Sequence, residues 1–246
     1  MTSLAHTSAP LAPAKVGTVR PVFDWLIIVA ILAVAAVYVR AIYFTPVEAL
    51  QGEAQKIYYI HLSSILGAYL SITITALMSI VALWLHDERA DRLAEASAEV
   101  GLVFLTVVLT TGPIWGHKIW GAWWAWWDAR LTLTLFLWLV IISYLVLRGA
   151  IEDAAMRTRY SAVLALLGAL LIPFIHLSVY MFAARLHPMP VVLKPDRPSL
   201  APEMLTTLLL ALGAFFLLCI ALMRARYRLG AQRELLAALE GEGGVR

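Results

Sequence analysis

Six stretches of the chain are apolar almost without interruption, and the polar residues collect between them. They run over 22–42, 60–85, 95–113, 131–148, 161–182 and 203–223. A helix crosses the hydrocarbon of a bilayer in about 17–25 residues, and each stretch is long enough. The apolar positions are continuous rather than alternating, which argues against the strands of a membrane barrel. The pattern predicts an all-α integral membrane protein with six transmembrane helices. These form a single domain over 1–246, with short polar segments at both ends and no internal repeat.

Composition agrees. The chain is 62% hydrophobic and only 14% charged, against about 25% charged in a soluble domain, and its mean hydropathy is +0.82. The net charge of +3 fits basic loops beside a lipid bilayer better than a nucleic-acid partner. A single cysteine, Cys219, permits no disulfide or cysteine metal site within one chain. The first residues, MTSLAHTSAPLAPAK, lack the basic start and apolar core of a cleaved signal and read as a flexible tail, 1–21.

With six spans both tails share one side. That side collects twelve Lys and Arg residues against seven on the other, and RARYR, residues 224–228, follows the last span directly. Basic residues favour the cytoplasm, so the expected arrangement is N-in/C-in, with 224–246 a cytoplasmic tail. In a Gram-negative cell the loops 43–59, 114–130 and 183–202 then face the periplasm, and the chain is a multi-pass protein of the inner membrane.

The middle outer loop, between helices 3 and 4, changes the picture most. In GPIWGHKIWGAWWAWWDAR, residues 112–130, lie Trp115, Trp120, Trp123, Trp124, Trp126 and Trp127, six of the nine tryptophans in the chain. An interfacial aromatic belt accounts for two or three of them. Six within thirteen residues suit a platform for a large, flat, apolar ligand, since indole stacking adds about 0.5–1.5 kcal/mol per pair beyond burial. Lys118 and Arg130 flank the platform and suit anionic groups on that ligand. Asp128 is expected to pair with Arg130 or to hold an indole N–H. A planar apolar body with carboxylate arms describes haem.

Haem iron takes axial ligands, most often His. His61 begins the second span and His187 follows the fifth, so both sit at the outer face. Together with the platform they form a candidate bis-His site. His6 and His86 lie in solvated segments, and His117 lies inside the loop. His176, three residues after Pro173 in the fifth span, reads as structural or supporting. Arg185, two residues before His187, is a further candidate for a haem carboxylate. The third outer loop carries Pro188, Pro190, Pro195, Pro198 and Pro202, which favours an extended rigid segment.

TGPIWGHKIWGAWWAWWDARLT resembles the WGxxWxWD signature of the haem-handling membrane proteins of cytochrome c assembly. With QGEAQKIYYIHLSS, IPFIHLSV and the short six-span chain, it is similar to the cytochrome c maturation protein C (CcmC) family. One residue is extra: Trp126 and Trp127 both precede Asp128, so either can fill the last Trp position. The resemblance implies haem b bound transiently as cargo, with His61 and His187 as axial ligands and the tryptophan segment as its platform. It also implies delivery to a periplasmic haem chaperone, CcmE, alongside the small membrane protein CcmD and the ABC transporter CcmA/CcmB. Such a protein binds and delivers and is not an enzyme. The competing reading, a quinol-linked bis-His cytochrome, needs haem ligands on both sides of the membrane, and His86 has no partner there.

Overall fold

The computed structural model describes residues 24–182, 186–187 and 200–243, with side chains up to 240. They form α1 (Trp25–Tyr43), a 3-10 turn (Glu53–Lys56), α2 (Ile57–Leu85), α3 (Glu88–Trp120), α4 (Ala129–Ala150), α5 (Ala154–Met181) and α6 (Pro202–Gly243). Six helices are long and apolar enough to cross a membrane, so the chain is a multi-pass membrane protein. Among the described residues there is no strand. The helices alternate in direction, so the tryptophan segment shares one end of the bundle with 44–56 and with the connection after α5. The turns 86–87 and 151–153 and both described chain ends lie at the other.

Aspartates start four of the helices. Asp24, Asp87, Asp128 and Asp153 each accept a hydrogen bond from a backbone N–H of the first turn, which satisfies donors that the helix itself leaves open. The helices outrun their apolar stretches. α3 begins seven residues before the predicted span and continues past Pro113 to Trp120, where Gly121 at φ 72° turns the chain and donates its N–H to His117. The first half of the expected loop is therefore helix. Pro113 removes one backbone bond, which a helix packed among neighbours tolerates. At the far end α6 stays helical to Gly243, where the sequence suggested a tail from 224. The tail 1–21 and most of the proline-rich outer loop lie outside the described residues.

α2 is the central helix, packed against α3, α5 and α6, while α4 pairs with α5 and α1 with α6. Its buried face is built from Ser63, Ser64, Gly67, Ala68, Ser71, Thr75, Ala76, Ser79 and Ala82. Lipid tails are as apolar as a side chain, so close backbone approach replaces the hydrophobic effect as the cause of packing. The core around it holds Ile72, Phe104, Leu105, Leu137, Ile141, Tyr144, Ile175 and Phe215.

Ion pairs lock the end away from the tryptophans. Arg148, buried on α4, forks onto both carboxylate oxygens of Asp91 at 2.9 and 2.7 Å and reaches Glu95 at 2.9 Å. Arg226 pairs with Glu99, and Arg92 with Glu234, tying α6 to α3. Asp24 draws Arg228 to 3.3 Å and Arg224 to 3.5 Å, tying α6 to the start of α1.

Candidate functional site

At the tryptophan end, α2, α3, α4, α5 and the segment after α5 line an open-mouthed cavity of about 230 Å³. Pockets for drug-sized molecules hold about 300–1,000 Å³, so a large ligand would seat only part of itself here and extend through the open mouth. The wall is mainly apolar, from Tyr58, Leu62, Ile65, Leu66, Tyr69, Val108, Leu109, Pro113 and Leu131. His61, His187, His176, Arg130, Trp115 and Trp124 complete it.

His61 stands in the second turn of α2 against α3. A methyl group at Gly112 would sit 3.2 Å from its Cε1, so the bare glycine makes the space for the ring. His61 Nδ1 lies 3.0 Å from Thr111 Oγ1. The Thr111 hydroxyl already donates to the Val107 carbonyl at 2.8 Å. Its single proton is spent, so it accepts from His61 Nδ1–H, and the hydrogen-bond network assigns the proton of the neutral ring to Nδ1. Nε2 keeps its lone pair and has no hydrogen-bond partner among the described residues.

His187 turns the same ring nitrogen to a partner by another route. Its Nδ1 lies 3.3 Å from Asp128 Oδ1, and a carboxylate only accepts, so Nδ1 carries a proton here too and Nε2 is left over. The Trp120 ring meets the imidazole edge-on at 5.2 Å, having folded back over Gly116. Both histidines therefore hold the same nitrogen in reserve beside one cavity. A neutral imidazole so oriented is the usual metal-binding form.

Asp128 organises this corner. It is 1% exposed. Besides His187 it accepts from the Leu131 N–H at 3.1 Å and the Leu186 N–H at 2.8 Å. Burial alone would push its carboxyl pKa up. The hydrogen bonds from His187, Leu186 and Leu131 outweigh burial and hold the group well below the usual carboxylate range, so it stays ionised. The expectation that Asp128 pairs with Arg130 or holds an indole N–H is corrected: among the described residues its hydrogen bonds go to the first turn of α4 and to the segment after α5.

Arg130 donates from Nη2 to the His176 carbonyl at 3.2 Å. Its Nε is buried with no partner among the described residues, and so is the Trp124 indole nitrogen. A buried donor without a partner costs about 1–3 kcal/mol. Two of them on residues lining one apolar cavity suit a ligand that carries acceptor oxygens.

The six tryptophans do not form one surface. Trp115 lines the cavity, donating its N–H to Gln51 Oε1 at 3.0 Å and meeting His61 edge-on at 5.8 Å. Trp124 lines it as well, and Trp120 backs His187. Trp123 stacks on His117 at 4.2 Å, with the rings 7° from parallel. Trp123, Trp126 and Trp127 are 60, 69 and 66% exposed. Lys118 is exposed and does not line the cavity. His176 lines the rim. His86 caps α2 at the opposite end of the bundle. Arg185 lies outside the described residues. Thr111, Gly112, Gln51, Tyr58 and Tyr69 also belong to the site; the first four lie within the stretches that carry the resemblance but were not singled out there, and Tyr69 lies outside them. A glycine inside an apolar run, as at Gly112, was the one available sign of a close approach.

The model of the family described as "Heme exporter protein C" matches residues 7–239. The chain belongs to the heme exporter protein C family. The match takes in every residue that lines the cavity. A heme exporter protein C of Haemophilus influenzae is 34% identical over 221 residues, 89% of this chain and 87% of the relative. That of Bradyrhizobium diazoefficiens is 34% identical over 224 residues, covering 89% and 82%. That of Rhodobacter capsulatus is 31% identical over 219 residues, covering 88% and 89%. The name these relatives carry describes them as exporters of haem.

Proposed function

We propose that this protein binds haem in the cavity at the tryptophan end and passes it on for the assembly of c-type cytochromes. The observation that carries the reading is the pair of imidazoles, each with Nδ1 engaged and Nε2 open, on the wall of one apolar, open-mouthed cavity. The surrounding residues fit the same cargo. Trp115 and Trp124 supply flat apolar contact, and the N–H groups of Arg130 and Trp124 that have no partner among the described residues suit haem carboxylates. Arg185, beside His187 in the chain, is assigned the same task.

In this reading His61 and His187 are axial ligands to haem b, held as cargo rather than as a resident cofactor. The protein is a binding and delivery component, not an enzyme. The cavity opens on the periplasmic side of the inner membrane, as the excess of basic residues at the opposite end supports. Trp123, Trp126 and Trp127 are free to meet the bilayer interface or the recipient, a haem chaperone of the CcmE type. CcmD and the CcmA/CcmB transporter are the expected companions.

The test is the absorbance spectrum of the purified protein titrated with haem. The parent should give a low-spin, six-coordinate spectrum. His61→Gly and His187→Gly should each lose six-coordination and regain it with added imidazole, while His86→Gly behaves as the parent. A low-spin spectrum that persists in the double variant without imidazole would move the ligands elsewhere.

A further inference from the structure

The two candidate ligands differ in what stands behind them. His187 Nδ1–H points at a buried carboxylate, Asp128. His61 Nδ1–H points at a neutral hydroxyl, Thr111, whose own proton is committed to a backbone carbonyl. We infer that the two axial ligands are unequal: Asp128 makes His187 the strong, retained ligand, and His61 is the one displaced first when haem is handed on. This rests on the bis-His reading of the cavity.

The physical ground is the basicity of Nε2. An acceptor at Nδ1–H draws the proton and leaves more electron density on the ring, and Nε2 then binds iron more strongly. A hydrogen bond to an ionised acceptor is roughly twice as strong as one between neutral groups. The bond lengths run the other way, 3.3 Å to Asp128 and 3.0 Å to Thr111. A difference of a tenth in separation changes a charge interaction by about a tenth, which is small beside replacing a dipole by a full charge. Two backbone N–H groups share the carboxylate and temper its pull. They also fix its position, so the ring it orients is held as well.

The asymmetry has a direction in the fold. His61 sits on α2 in the centre of the bundle, wedged at Gly112. His187 lies beyond the end of α5, clasped to the tryptophan segment. Losing the His61 bond first would open the iron on the α2 side, with the haem still attached to the segment after α5. An incoming ligand from a recipient then takes the vacated coordination position, one iron–nitrogen bond breaking as another forms with no change of charge or oxidation state.

The experiment uses full-length protein in detergent, loaded with haem, reduced and exposed to carbon monoxide, which replaces the weaker axial ligand. The iron–imidazole stretching frequency, read after photolysis of the bound carbon monoxide, reports the ligand that remains. Asp128→Asn keeps an acceptor for the helix start and removes the charge; Thr111→Val removes the hydroxyl at constant shape. The expected result is a shifted frequency in Asp128→Asn and an unmoved one in Thr111→Val. In the absence of carbon monoxide, Asp128→Asn should weaken the ferric preference about tenfold, raising the midpoint potential by about 59 mV. A shift in Thr111→Val, or no shift in Asp128→Asn, overturns the inference. Should Asp128→Asn fail to fold, the Thr111→Val adduct alone decides, since any shift there identifies His61 as the retained ligand. If the parent gives no six-coordinate spectrum before carbon monoxide, the reading of the cavity itself fails, a separate outcome.

Discussion

Gly112 shows how much of the site depends on the size of single residues. In most helices alanine is preferred to glycine by about 1 kcal/mol. Here the added methyl would press on His61 Cε1, the carbon between the two ring nitrogens. Gly112→Ala should therefore insert and accumulate like the parent while its haem spectrum becomes a mixture of five- and six-coordinate forms, with affinity down about tenfold. A spectrum identical to the parent's would mean that the ring has room to move aside. The residues with conspicuous chemistry, His61, His187, Arg130 and Trp124, were legible from type and depth in the sequence. Their supports were not. Threonine and glycine are ordinary in apolar helices, and Asp128 finds Leu186 and His187 across 58 and 59 positions of sequence, a pairing that no local pattern encodes. The even character of the tryptophan run hid its division into cavity-lining and outward rings.

Among the elements, the six spans followed from apolar length alone, because hydrocarbon demands it. Helix ends obey other rules, and there the prediction erred. The third span was expected to end at 113, yet α3 passes through Gly112, Pro113 and Gly116 to Trp120, as a helix packed among neighbours tolerates. Beyond the apolar stretches, ion pairs continue the packing that α3, α4 and α6 began. Arg148 carries the heaviest part of this, with its side chain 4% exposed and that of Asp91 18% exposed. Arg148→Met should leave Asp91 and Glu95 facing each other without the cation that bridges them, Arg157 acting on Asp91 only through its charge. Removing one partner of a buried pair costs about 3–5 kcal/mol, and the partial exposure of Asp91 and Glu95 puts this case at the low end. Thermal unfolding in detergent should fall accordingly, while haem coordination at the other end of the bundle stays six-coordinate in the folded fraction. Loss of coordination at full stability would show that the two ends are coupled.

For the whole molecule, orientation decides which compartment the cavity serves. Both described chain ends lie opposite the tryptophan segment, and that end carries the RARYR sequence at 224–228. A reporter fused after Gly243 should be active only in the cytoplasm, and one inserted at Leu50, an exposed position of the 44–56 connection, only outside it. Activity in the reverse compartments would turn the cavity inward and remove delivery to a periplasmic recipient.

The clasp at Asp128 also brings time into the site. A chain is inserted from its beginning, and most of the cavity wall, from Tyr58 to Thr134, is made before Leu186 and His187 exist. Until they arrive, the carboxylate has only the Leu131 N–H from the described partners, and one of the two imidazoles is missing. A half-made protein can offer haem a greasy wall and a single nitrogen, but not a firm grip. On the proposed reading, firm capture waits until the segment after the fifth helix is made, and the three hydrogen bonds to Asp128 form only then.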